Sequence, residues 1–60
     1  MGTKFIKVEL EMGLKTACIN VDDIISVTEK GVYESEIKLR NGDKIIATED
    51  PDDIYEKMQK

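Results

Sequence analysis

The chain opens on strict alternation: from Lys4 to Glu11, residues Ile6, Val8 and Leu10 fall on one side and Lys7, Glu9 and Glu11 on the other, which is the period of a half-buried strand. Met12-Gly13 breaks the pattern and turns the chain, and 15–20 reads as a second strand antiparallel to the first. Asn20 to Asp23 is turn-like. The β-branched residues Ile24, Ile25, Val27 and Thr28 predict a third strand over 24–29, Lys30-Gly31 supplies the next turn, and a fourth strand follows over 32–40. A fifth occupies 44–48. Asp50 is a good N-cap, Pro51 suits the first helical position, and acids at 52 and 53 with lysines at 57 and 60 complement the dipole of a helix over 51–59. Ile54 and Met58, with Tyr55 beside them, give that helix an apolar stripe to dock. The expected fold is mainly β (α+β): one domain over 1–60, built as a five-stranded antiparallel meander or small curved sheet with one short C-terminal helix.

Asn41-Gly42 is the strongest local signal, because Asn-Gly suits both positive-φ positions of a type I′ hairpin. A two-residue loop there sets Leu39 opposite Lys44, Lys38 opposite Ile45 and Ile37 opposite Ile46. Directly opposed residues share a face. Ile37, Leu39 and Ile46 then join the core, while Ile45 and Ala47 fall on the face of Glu36 and Lys38. Either a bulge shifts the register or the second face is covered as well. Phe5 poses the same problem in the first strand. The expectation is two partly apolar faces, one packed by the helix and the other by sheet curvature or a second subunit, with Phe5, Ile45 and Ala47 at an oligomer interface.

Length sharpens that expectation. A chain of 60 residues buries only about 60% of its unfolded surface on folding, so small domains recruit disulfides, metals or partner subunits. Cys18 is the single cysteine and there is no histidine, which excludes an intrachain disulfide and the usual tetrahedral zinc sets. Homo-oligomerisation is the remaining supplement. Cys18 itself, in an apolar strand context, is expected to be a small buried hydrophobe. Lys4 and Lys7 interrupt any secretory apolar run, and no run approaches the ~20 residues that span a bilayer, so a cytoplasmic setting without membrane contact is expected.

The net charge of −4 is unevenly placed, since residues 22–60 hold eleven of the thirteen acids. A general nucleic-acid binder draws affinity from lysine and arginine, so nucleic acid is disfavoured as a partner unless assembly creates a basic patch. The acids at 49, 50, 52 and 53 lack EF-hand spacing and are explained by helix capping, so no metal is assigned. Asp22-Asp23 reads as a turn. Ser26 and Ser35 stand in plain β patterns without a nucleophile elbow, so no catalytic residue and no cofactor is assigned. Tyr33 and Tyr55 combine apolar area with a polar tip and are the aromatic candidates for a binding surface. Lys38, Arg40 and Lys44 are the candidates for holding a partner or a nucleotide-like small ligand.

The segments Ile19-Asn20-Val21-Asp22, Ile24-Ile25-Ser26-Val27, Ile37-Lys38-Leu39-Arg40-Asn41-Gly42 and Glu49-Asp50-Pro51-Asp52-Asp53-Ile54 resemble the FlbD-like family of small bacterial and phage proteins. The resemblance implies a small β-rich module with no defined activity. A partial likeness over 22–58 resembles half of a LytTR-type DNA-binding domain. The expected function is therefore a non-enzymatic interaction module, a homo-oligomer that binds a protein or small ligand at a shared surface. Two alternatives stand beside it. One is a phage or mobile-element inhibitor of a host defence system, which blocks a host protein or sequesters a nucleotide signal; the other is a transcriptional or DNA-binding regulator.

Overall fold

A computed structural model describes residues 4–60. Five antiparallel strands and one helix follow one another: β1 (Phe5–Leu10), β2 (Lys15–Asn20), β3 (Ile24–Gly31), β4 (Glu34–Leu39), β5 (Lys44–Ala47) and α1 (Pro51–Gln59). The fold is mainly β, as its alternating runs require. The strands divide into two small sheets, β1-β2 and β3-β4-β5. The sheets meet where the Thr48 N–H donates to the Glu9 carbonyl at 2.8 Å. Ile6, Val8 and Ile19 from the first sheet pack on Ile37 and Ala47 from the second, and Ile54 of α1 completes the buried cluster.

Register decides which residues reach that cluster. Lys38 pairs with Lys44, Ile37 with Ile45, Glu36 with Ile46 and Ser35 with Ala47, one residue away from the two-residue-loop expectation. The cause lies in the turn. Leu39 N–H donates to Asp43 O at 2.9 Å and Gly42 N–H to Leu39 O at 3.0 Å, which closes a three-residue loop. Only Gly42 has positive φ, at 98°, so the type I′ expectation is corrected to a type I turn ending in a glycine bulge. Asn-Gly serves both turns, and burying Ala47 beside Ile37 selects this one. Consequently Ala47 is completely buried, which removes it from the expected oligomer interface, and Ile45 is half-buried against the core. Ile46 turns outward, whereas Leu39 packs at the core margin.

A second correction concerns Cys18, which is exposed. Lys7 and Cys18 pair directly, on the face of the first sheet opposite Ile6, Val8, Ala17 and Ile19. Alternation alone forces this: once Ile19 enters the core, its neighbour must leave it.

The helix also seals an edge. Lys57 Nζ donates to Lys7 O at 2.8 Å and to Glu49 at 2.7 Å, while Glu9 N–H donates to Glu49 Oε2 at 2.7 Å. The edge of β1 away from β2 is thus occupied by side chains, one of the ways a sheet avoids unwanted pairing. Ser35, buried within β4, donates its hydroxyl to Glu49 O at 2.6 Å. Asp50 holds the N-cap position and its carbonyl accepts from Asp53 and Ile54, but its carboxylate makes no capping bond. No helix among the described residues is long and apolar enough to cross a membrane.

Candidate functional site

The β1–β2 connection must reverse the chain between Leu10 and Lys15, which are paired across the hairpin. It does so in the left-handed region: φ is 49° at Glu11, 56° at Met12 and 89° at Gly13. Glycine occupies this region freely, whereas each L-residue with a Cβ loses about 1–2 kcal/mol there. The surrounding structure holds the turn in place. Leu14 N–H donates to Glu11 O at 3.1 Å, and Met12 N–H donates to Thr48 Oγ1 at 3.2 Å. Lys15 pairs with Glu11 across 3.5 Å. Thr48 therefore binds both the strand end at Glu9 and the turn beyond it.

A second turn with the same property lies beside the first. Gly31 pairs with Glu34, leaving Val32-Tyr33 as the β3–β4 loop, and Tyr33 carries φ 55°. A bulky aromatic residue in this region is a genuine outlier. Met12, Val32 and Tyr33 line one concavity of ≈ 360 Å³ together with Glu9, Glu34 and Thr48. Large apolar side chains crown it: Met12 is 89% exposed, Val32 84% and Tyr33 65%, with Leu14 at 83% on the adjoining turn. These values decide the matter, because neither turn uses its apolar residues for packing. We refer to this end of the molecule as the tip.

The residues singled out from sequence do not converge. Tyr33 lies at the tip. Lys38 and Lys44 oppose each other on the outer face of the three-stranded sheet, where Lys44 pairs with Glu36 at 3.8 Å. Arg40 sits in the β4–β5 turn at the far end of β4 and is committed locally: its guanidinium donates to Asp22 O at 2.5 Å and stands 4.0 Å from the Asp23 carboxylate. Tyr55 projects from α1 and lines a groove with Ile24, Ile25, Val27, Pro51 and Met58 along the edge of β3. Ile25 is there because the β3–β4 register shifts between Ile24 and Ser26, a bulge that turns it outward. Phe5 is exposed on the outer face of β1.

Met12, Leu14 and Val32 were missed because a turn reading predicts the path of the chain and not what it displays. The available signal was compositional: three large apolar residues beside turn glycines, where polar residues usually stand. Among the described residues no group of three or more His, Cys, Asp or Glu is placed to hold a metal ion. No protein-family model, curated protein or solved structure matches this chain.

Proposed function

We propose that this chain is a non-enzymatic interaction module, cytoplasmic and homo-oligomeric, which presents its tip to a protein partner. One observation carries the reading: two adjacent turns hold Met12 and Tyr33 at positive φ while exposing Met12, Leu14, Val32 and Tyr33 to solvent. Strain of this kind persists where function selects the residue, and glycine would serve folding better at both positions. An exposed apolar cluster rimmed by Glu9 and Glu34 suits an apolar partner surface edged with basic groups.

Oligomerisation is supported separately. Among the described residues the buried apolar cluster contains six side chains, and β3 is hydrogen-bonded to a neighbouring strand on one side only. The groove beside it, with Ile25 and Tyr55 exposed, offers a second copy both strand pairing and apolar area.

The test is the double variant Met12→Gly/Tyr33→Gly, compared with wild type in thermal melting, sedimentation and affinity capture of proteins from the source cells. The variant should melt higher, sediment as the same oligomer and lose the captured partner. Retention of that partner by a folded variant would remove the tip from the reading. A wild-type monomer at micromolar concentration with a cooperative, high-temperature melt would remove the oligomer.

A further inference from the structure

The acidic chain gathers four of its nine basic residues around one concavity. Lys4, Lys7, Lys57 and Lys60 line it together with Phe5 and Ile6, in a volume of ≈ 390 Å³, and no acidic residue lines it among the described residues. It is a shallow depression, open to solvent rather than an enclosed cavity. The lysines come from opposite ends of the sequence and meet because α1 runs back against β1.

Two of the four ammonium groups are fixed by the fold. Lys4 Nζ donates to Met58 O at 2.8 Å and also to Lys60 O, which anchors the last turn of α1 and leaves one of its three protons unassigned. Lys57 Nζ is held by Lys7 O and the Glu49 carboxylate. Lys7 and Lys60 are exposed, and neither ammonium has a carboxylate partner among the described residues. Phe5 supplies the second chemical element. It shares the outer face of β1 with Lys7 and is 60% exposed, a free aromatic ring beside cationic groups.

We propose that this concavity binds a nucleotide, with the phosphates held by Lys4, Lys7 and Lys60 and the base stacked on Phe5. Aromatic stacking flanked by lysines is the arrangement by which proteins hold nucleotides without reading their sequence. The overall charge of −4 repels long polyanions, so the site favours a free nucleotide over a nucleic-acid strand. The location differs from the Lys38, Arg40 and Lys44 set suggested by sequence, and it is independent of the tip.

Titration calorimetry with ATP, inorganic tripolyphosphate and adenosine, and anisotropy with a fluorescein-labelled ten-nucleotide thymidine strand, test the proposal at low salt. ATP should bind more tightly than tripolyphosphate or adenosine. The Lys7→Glu/Lys60→Glu variant should lose at least tenfold in ATP affinity. Phe5→Ala should weaken ATP roughly 5- to 150-fold, the range of one stacked base, and leave tripolyphosphate unchanged. A strand that binds more tightly than ATP would assign the same nucleotide chemistry to single-stranded nucleic acid; the reverse order assigns it to the free nucleotide. Absence of ATP and strand binding at millimolar concentration would overturn the proposal. So would an equal loss in Lys38→Glu, on the other sheet, or unchanged affinity in folded Lys7→Glu/Lys60→Glu.

Discussion

The two ends of β4 are built on opposite principles. At one end Arg40, Asn41 and Gly42 turn the chain with the left-handed position given to glycine, and Asn41 Oδ1 accepts from the Asp43 N–H at 2.9 Å. At the other, Val32-Tyr33 turns it with tyrosine in the left-handed position and both side chains exposed. The first turn minimises backbone strain and displays polar groups. The second accepts strain and displays apolar ones, and its neighbour Glu11–Gly13 repeats the pattern. Within one short sheet, the difference separates a turn selected for folding from a turn selected for what it presents.

Strained turns persist only where their surroundings over-determine them, and Glu49 sits at the centre of those surroundings. Its carboxylate accepts from Glu9 N–H and Lys57, and its carbonyl accepts from buried Ser35. Glu49→Ala should produce the largest loss among these variants, about 1.5–3 kcal/mol from charge-assisted hydrogen bonds, read as a lower denaturation midpoint. Hydrogen exchange should then quicken at Met12 before the Asn41-Gly42 end. Equal acceleration at both ends would mean the tip is no more dependent on its supports than the relaxed turn.

The opposite signs of strain give a sharper comparison. Gly42→Ala places a Cβ at φ 98° with nothing within 4 Å of it, so any loss is purely conformational, about 1–2 kcal/mol. Tyr33→Gly removes the same penalty and adds backbone entropy to the unfolded chain, a net gain of about 0.5–1 kcal/mol. Urea denaturation of the two variants settles it. Destabilisation in both would show that Tyr33 is held by packing, and the case for a functional turn would fall with it.

How much of this was legible depends on whether the signal is local. The alternation from Lys4 to Glu11 and the Asp50-Pro51 start with its Ile54/Met58 stripe are carried by neighbouring residues, so strand and helix could be placed from the chain alone. Asn41-Gly42 announced a turn but could not choose between two loops, because the choice is made by burying Ala47 from across the sheet. The apolar tip was hidden for a related reason: the turn at Met12-Gly13 was visible, but its meeting with Val32 and Tyr33 depends on Thr48 bridging to Glu9. The lysine cluster was the least legible feature, since its members stand at opposite ends of the sequence.

The Asn41-Gly42 end is relaxed in its backbone yet not free of conflict. Lys38 and Lys44 are directly opposed on the outer face, and like charges so placed repel. Glu36 offsets one of them, standing 3.8 Å from Lys44 and 3.9 Å from Lys30, whereas Lys38 has no carboxylate within ion-pair distance among the described residues. Lys38→Thr should therefore stabilise the chain by about 0.2–0.5 kcal/mol, because it removes the repulsion and places a β-branched residue in a strand. Screening tells the two contributions apart: the repulsive part should shrink as salt rises toward 1 M, where the Debye length is about 3 Å, and the propensity part should persist. A gain that is identical at low and high salt would mean the opposed lysines already avoid each other. Conflict at this end would then be absent from side chains as well as backbone, leaving the tip as the one place where the fold gives up stability for display.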